Sequence, residues 1–222
     1  MHTPGEPSDL EEPRVLWARA ATTAIACAAG LLSANVVRLR PDGLNSDASG
    51  AGWWTLTLSP DEEAVFSGQD DFSHTHLGDE PVDLLAGLPD RLSWPQLRED
   101  LRARALGFVY WYTGGAWHRA PYPEDLEDDG LDASLSFLAD EAELTIMLVE
   151  DHPRTEDAGR TVAGFLDRAK DRRLHPDDVI ALLAAINPQV ATDPARVKAA
   201  LDMATRTGLL EGTTPPLFTA DV

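Results

Sequence analysis

The chain has 222 residues, 43% of them hydrophobic, so it can bury a core and does not have the composition of a disordered chain. Its 38 acidic residues outnumber its 18 basic ones, and the formal net charge is −20. This charge argues against nucleic acid and anionic membranes as partners, because both are bound mainly through Lys and Arg.

The use of basic residues and of cysteine indicates a source and a compartment. Of the 18 basic residues only two are Lys and the rest are Arg, which is typical of a bacterium with a GC-rich genome. Cys27 is the single cysteine, so no intrachain disulfide can form. A cytoplasmic location is therefore expected.

A leader and one helix are predicted at the N-terminus. Residues 1–12 are rich in Pro, Gly, Ser and acids and are expected to be disordered. Pro13 suits a first helical turn, and apolar residues at helical spacing continue to about Gly30. This stretch approaches the length of a membrane span, but it is mostly alanine and contains Arg19. We therefore expect a buried helix and no membrane anchor.

Two β-hairpins are predicted from alternating apolar and polar residues. Residues 53–58 have the sequence Trp-Trp-Thr-Leu-Thr-Leu, and residues 64–67 return after a turn. Residues 108–112 and 116–119 flank the sequence Thr-Gly-Gly, which favours a tight turn. The segment 45–52 is expected to be a loop.

Helices are predicted for most of the remaining chain. One spans about 95–106, and another spans about 133–142 and is followed by a strand over 144–149. Three more are predicted over about 156–172, 177–187 and 194–207, the last with Asp193 as N-cap and Gly208 as its C-terminal stop.

Together these elements predict an α+β fold. An antiparallel sheet built from two hairpins is joined by an N-terminal helix and a C-terminal helical bundle. Strands and aromatic residues dominate before residue 152, and helices alone follow it. The predicted domains are a disordered leader over 1–12, an α+β domain over 13–152 and a C-terminal helical region over 153–222.

The densest group of potential metal ligands follows the first hairpin. Two histidines are separated by one residue, a spacing that points both imidazoles to the same side of an extended segment. Nearby carboxylates could complete a site for a divalent metal ion that activates water for hydrolysis. The candidate ligands are Asp70, Asp71, His74, His76 and Asp79. The alternative is a polar loop that binds no metal.

The sharpest charge feature is the acidic run over residues 124–132, in a region (61–160) that holds 24 acids against 7 Arg and no Lys. Such a surface beside aromatic residues suits a basic protein, whose approach it would accelerate. The candidate partner-binding residues are Trp111, Trp117, Glu124, Asp125, Glu127, Asp128 and Asp129. The alternative is a solvated loop.

No catalytic residue is assigned, because the chain has neither the Gly-x-Ser-x-Gly nor the Ser-x-x-Lys nucleophile motif and no glycine-rich phosphate loop. We expect a non-enzymatic interaction module without a cofactor that binds a basic protein, and an immunity-type inhibitor or regulatory adaptor is its most specific form. One alternative is a metal-dependent hydrolase that uses residues 70–76. Another is a transcriptional regulator, because residues 196–210 resemble the final helix of a winged-helix unit.

Overall fold

A computed structural model of the chain describes residues 1–47, 52–77 and 81–219. It confirms the predicted α+β class. The chain divides into two compact units. The sheet unit comprises Met1–Pro13, Pro41–Ser136 and the residues from Leu217 onward. The helical unit comprises Arg14–Arg40 and Phe137–Pro216.

One helix, four strands, a second helix and two more strands make up the first part of the described chain, and α-helices follow. The strands are β1 (Arg38–Arg40), β2 (Gly43–Asp47), β3 (Gly52–Leu58), β4 (Ala64–Asp70), β5 (Phe108–Thr113) and β6 (Ala116–Arg119). The α-helices are α1 (Pro13–Ala28), α2 (Pro95–Arg102), α3 (Leu131–Ala139), α4 (Glu141–Val149), α5 (Ala158–Lys170), α6 (Pro176–Ile186), α7 (Pro188–Ala191) and α8 (Pro194–Arg206).

The strands follow one another across the sheet in chain order. Neighbours from β2 to β6 are antiparallel, and both predicted hairpins are confirmed, as β3–β4 and β5–β6. One face of the sheet carries an aromatic cluster, in which the ring centroid of Phe66 lies 5.8 Å from that of Trp54 and 5.3 Å from that of Phe108. Strands β3, β4 and β5 are buried over most of their length.

The chain between β4 and β5 covers the opposite face of the sheet. Val65, Val109 and Trp111 point to this side and belong to one apolar cluster. The covering segment contributes the buried side chains Leu84, Leu88, Leu92, Trp94, Leu97 and Leu106. Each fully buried leucine contributes about 1.5–3 kcal/mol, so this cluster is a main source of stability for the sheet unit.

Within the helical unit, α1 is buried along most of its length because small alanines let its neighbours approach closely. The indole N–H of Trp17 donates to the carbonyl of Thr207 at 2.9 Å. The guanidinium of Arg19 donates to the carbonyls of Leu138 at 2.6 Å and Ala139 at 3.1 Å, at the C-terminal end of α3. These carbonyls lack intrahelical donors, so they compensate the burial of Arg19.

The predicted C-terminal helices are confirmed as α5, α6 and α8, with the short α7 between the last two. Asp193 caps α8 by accepting from the N–H groups of Ala195 at 2.9 Å and Arg196 at 3.3 Å. Gly208 follows that helix with φ +70°, a left-handed conformation that glycine adopts without strain. Within the described residues, no helix combines the length and apolar character needed to cross a membrane.

Two local predictions are wrong. Residues 45–47 of the predicted loop belong to β2, where the side-chain amide of Asn45 donates to the Trp54 carbonyl of β3 at 2.9 Å. The predicted strand over 144–149 is the greater part of α4. Asp140 caps this helix by accepting from the Ala142 N–H at 2.7 Å, and acids fill the first turn, where the helix dipole favours them.

The two units divide the chain differently from the predicted domains. Residue 152, the predicted boundary, lies inside the helical unit, which also includes residues 14–40. The predicted leader over 1–12 lies in the sheet unit, where the carbonyl of Glu11 accepts from the Trp117 indole N–H at 2.7 Å. This contact joins residues 106 positions apart, so it cannot be inferred from the composition of the N-terminal segment.

Candidate functional site

Segment 70–77, which begins at the end of β4, is fixed by two buried hydroxyl side chains. Ser73 and Thr75 are each 1% exposed. The hydroxyl of Ser73 donates to the carbonyl of Asp129 at 2.9 Å, and that of Thr75 donates to the carbonyl of Gly107 at 2.6 Å. These two hydrogen bonds, from every second residue, fix the segment to other parts of the sheet unit.

Two glycines allow this close approach. A Cβ atom at Gly107 would lie 2.1 Å from the Ser73 hydroxyl oxygen, and one at Gly130 would lie 2.2 Å from the same atom. Any other residue at either position would displace Ser73. With Ser73 held inward, Phe72 is 65% exposed and the side chain of His74 is 40% exposed.

The acidic run lies against segment 70–77. The backbone N–H of His74 donates to the Asp128 carbonyl at 2.9 Å, and the His74 Nδ1 atom lies 3.4 Å from Glu127 Oε2. Two features that are about fifty residues apart in the sequence therefore form one surface. We call this surface the acidic face and define it as Asp70, Asp71, Phe72, His74, Glu124, Asp125, Glu127 and Asp128.

The carboxylates of the acidic face influence one another. Partial burial raises the pKa of Asp70, and the negative charges of Asp71 and Asp128 raise it further. A hydrogen bond from the Phe72 N–H, at 3.1 Å, acts in the opposite direction. A cation placed here would stabilise the ionised carboxylates and would itself be attracted.

The acidic face includes an exposed aromatic ring, that of Phe72. Phe72 directly follows Asp70 and Asp71 in the sequence, and Leu77, five residues further on, is 54% exposed. Exposed aromatic side chains commonly serve as anchors in protein interfaces. The sequence signal for this residue is an aromatic side chain inside a polar stretch.

The two tryptophans that were predicted to bind a partner lie inside the sheet unit. Trp111 is 5% exposed and belongs to the apolar cluster under the sheet. Trp117 is 7% exposed, and its indole packs edge-on against Tyr112, with 5.4 Å between the ring centroids. Phe72, in contrast, is an exposed aromatic residue of the acidic face.

Asp129, the last residue of the predicted partner-binding set, points inward and is 0% exposed. Its Oδ2 atom accepts from the hydroxyls of Tyr110 at 2.7 Å and Tyr122 at 3.0 Å. Its Oδ1 atom accepts from the backbone N–H groups of Gly5 at 3.0 Å and Leu131 at 3.2 Å. Four donors satisfy this carboxylate, so its role is structural.

The tyrosines beside Asp129 have perturbed acidities. Burial raises the pKa of Tyr110 and of Tyr122 well above the ordinary value, and the negative charge of Asp129 adds to the effect in both. The guanidinium of Arg119, 3.9 Å from the centroid of the Tyr122 ring, opposes it. Both hydroxyls remain protonated donors at neutral pH.

The predicted metal ligands have different surroundings. Asp70, Asp71 and His74 belong to the acidic face, whereas His76 lines a cavity, and Asp79 lies outside the described residues. Within the described ranges, no group of three or more His, Cys, Asp or Glu is arranged to hold a metal ion. The metal site stays a prediction.

The chain was compared with models of protein families, with curated proteins and with solved structures, and none of the three comparisons gave a match.

Proposed function

We propose that the protein is a non-enzymatic interaction module whose acidic face binds a basic protein. The observation that carries this proposal is the contact between segment 70–77 and the acidic run, with the exposed ring of Phe72 on the same surface. Carboxylates attract and orient a cationic partner, and an exposed aromatic ring provides contact area with low conformational entropy cost.

The distribution of charge supports the proposal. The chain ranges of the sheet unit hold 24 acidic and 5 basic residues, whereas those of the helical unit hold 14 and 13. The formal net charges are −19 and −1, so nearly all of the excess lies in one unit. Acidity that served solubility alone would gain nothing from this concentration.

The chemistry of the acidic face suggests how such a partner would bind. Lysine or arginine side chains would pair with the exposed carboxylates of Asp71 and Glu127, and an arginine could also stack on the Phe72 ring. A bacterial immunity-type inhibitor or a regulatory adaptor in the cytoplasm is the specific form that we propose. The metal-dependent hydrolase and the transcriptional regulator stay predictions.

The test measures affinity for a cationic probe as a function of salt. Fluorescently labelled penta-lysine is titrated with the protein between about 20 and 300 mM NaCl, a range over which screening changes strongly. The test variant neutralises four carboxylates of the acidic face by Asp71→Asn, Glu124→Gln, Asp125→Asn and Glu127→Gln. The control variant makes the same change in net charge in the helical unit by Glu143→Gln, Glu150→Gln, Asp151→Asn and Glu156→Gln.

We expect the face variant to bind penta-lysine about tenfold more weakly at low salt, and the control variant less than about twofold more weakly. The affinity of the wild-type protein should fall as NaCl rises. Equal losses in the two variants would show that only total charge matters, and binding that ignores NaCl would remove the electrostatic basis of the proposal.

A further inference from the structure

The end of strand β3 offers a main-chain acceptor to a further chain segment. The register between β2 and β3 ends at Leu44, opposite Leu56, so β3 extends past β2 at this end. The N–H of Ser59 donates to the Glu63 carbonyl at 2.8 Å, so the main-chain groups of Leu58, one position earlier, point away from β4. The Leu58 carbonyl is therefore open to a chain that lies beside β3.

Phe218 lies at this position and is bonded through both of its main-chain groups. Its N–H donates to the Leu58 carbonyl at 2.7 Å, and its carbonyl accepts from the Ser59 hydroxyl at 3.1 Å. Leu58 and Ser59 are both buried, so these bonds are largely shielded from water. Because Phe218 contributes only main-chain groups to them, another extended peptide can make the same two bonds, as in sites that bind a peptide by strand addition.

The ring of Phe218 packs against the indole of Trp94, with 4.7 Å between the ring centroids. Trp94 is buried and belongs to the apolar cluster under the sheet, so it is a rigid support for a second ring. Aromatic pairs at this separation are favourable beyond the apolar area that they bury, so this contact provides a selectivity for aromatic residues that the main-chain bonds lack. We call this place the aromatic groove and define it as Leu58, Ser59 and Trp94.

The attachment of residues 217–219 to the aromatic groove depends on one side chain. Leu217 is 47% exposed and Thr219 is also exposed, whereas Phe218 packs against the apolar cluster. A segment with few buried contacts opens locally at a much smaller cost than that of global unfolding. A competing peptide can therefore replace Phe218 without unfolding the sheet unit.

The turn that follows Ser59 makes the surroundings of the aromatic groove acidic. Asp61 and Glu62 are exposed, and the nearby Arg91 forms an ion pair with Glu63. The sequence has no Lys or Arg after residue 206, so residues 217–219 and their neighbours bring no cation to this turn. A partner segment that carries Lys or Arg beside an aromatic residue would make the same contacts as Phe218 and add ion pairs.

We propose that the aromatic groove binds a basic segment of a partner protein, whose aromatic residue displaces Phe218. Residues 217–219 act as a built-in competitor that occupies the groove until such a partner is present. This inference goes beyond the proposed function, because it adds a second contact surface that shares no residue with the acidic face.

The test uses the full-length chain and two labelled peptides, Lys-Leu-Phe-Lys and Lys-Leu-Ala-Lys. Phe218→Ala removes the competing ring, so we expect it to bind the Phe peptide about tenfold more tightly than the wild type does. Leu217→Ala, at the exposed neighbour, should bind like the wild type. In the Phe218→Ala background, Asp61→Asn with Glu62→Gln should weaken binding of the Phe peptide about threefold, because two ion pairs with its lysines are lost.

The acidic face also attracts these peptides, so the preference for the Phe peptide over the Ala peptide is the property that belongs to the aromatic groove. The face variant with four neutralised carboxylates should bind both peptides more weakly and retain this preference. Loss of the preference in the face variant would assign it to the acidic face and overturn the inference. Equal affinity of the wild type and Phe218→Ala for the Phe peptide would also overturn it.

A measurement on the unsubstituted protein avoids any folding defect of the variants. Displacement of Phe218 by the Phe peptide should shift the amide resonance of Phe218 and the indole ¹⁵N–H resonance of Trp94, and the Ala peptide should shift neither. A tethered competitor has an effective concentration in the millimolar range, so the titration extends to about 5 mM peptide. Unchanged resonances at that concentration of the Phe peptide would contradict the inference.

Discussion

The sheet unit and the helical unit have similar proportions of charged side chains, but they differ in the balance of acids and bases. In the helical unit, acids and bases nearly balance, and cations lie beside carboxylates: Arg168 is 3.0 Å from Asp178, and Lys170 is 2.6 Å from Asp167. In the sheet unit, acids outnumber bases by 24 to 5. The excess of acidic residues is therefore a property of the sheet unit, with a net charge of −19 against −1 in the helical unit.

Within the sheet unit, carboxylates have two distinct surroundings. Asp129 is fully buried and has four hydrogen-bond donors, so it connects the N-terminal segment to the sheet. Glu127, two residues earlier, has a side chain that is 82% exposed and lies on the acidic face. The same residue class therefore stabilises the interior at one position and is available to a partner at the other.

The largest expected effect tests the interior role. Asp129→Ala should lower the free energy of unfolding by about 3–5 kcal/mol, because two hydroxyls and two N–H groups lose their acceptor. Urea denaturation measures this loss. The matched change Asp125→Ala, at an exposed position of the same run, should stay within about 0.5 kcal/mol of the wild type. Similar losses of stability in the two variants would show that Asp129 contributes no more to the fold than the exposed Asp125 does.

Replacing a glycine by alanine should have opposite effects on stability in the two units. A Cβ at Gly5 would lie 2.5 Å from Leu131 Cδ2 and 2.8 Å from the Tyr110 hydroxyl oxygen, so Gly5→Ala should cost about 1–3 kcal/mol. Gly164→Ala, within α5 of the helical unit, meets no atom closer than 3.8 Å and should add about 0.5–1 kcal/mol. A stability unchanged by Gly5→Ala would show that the N-terminal segment does not pack against the sheet in solution.

Two buried tyrosines of the sheet unit should make the free energy of unfolding depend on pH. Burial raises the pKa of Tyr110 and Tyr122 above the ordinary value of 10.0. Because the unfolded chain loses these protons first, their contribution to stability is complete below pH 10 and decreases above it, by up to about 1.4 kcal/mol per pH unit for each tyrosine. Tyr110→Phe and Tyr122→Phe should each flatten the decline in urea stability above pH 10, and an unchanged slope would contradict the assignment.

The smallest expected effect lies in the helical unit. Arg172 lies two residues after the end of α5 and has φ +55°, a left-handed conformation that favours glycine. Arg172→Gly should raise the free energy of unfolding by about 0.5–1 kcal/mol, because it removes the strain of a Cβ in this region. Arg172→Ala, which removes the same charge but keeps the Cβ, is the control, and an equal gain from it would point to charge as the cause.

The hairpins were predictable because local patterns encode them. Alternation over 53–58 and the glycine pair after Thr113 specify strand and turn with little help from the rest of the chain. Strand β2 was not predictable, because Gly43–Asp47 has the composition of a turn and its strand conformation depends on pairing with a neighbour such as β3. Helix α4 was missed because six apolar residues suit a strand as well as a helix.

The candidate site was predictable in parts. The sequence identified the acidic run and segment 70–77 separately, but their contact depends on hydrogen bonds such as that from Ser73 to Asp129, 56 residues away. The interior role of Asp129 was hidden for the same reason, because its donors come from residues as distant as Gly5. Burial of Trp111 and Trp117 likewise follows from the tertiary packing of their neighbours.

The most direct test of the central claim is a map of the binding surface. In an assigned ¹H–¹⁵N spectrum titrated with penta-lysine at low salt, the largest shifts should fall on the amides of Asp71, Phe72, His74 and Glu127, with small shifts across the helical unit. Shifts of equal size spread over the acids of both units would contradict the claim that the acidic face is the binding surface.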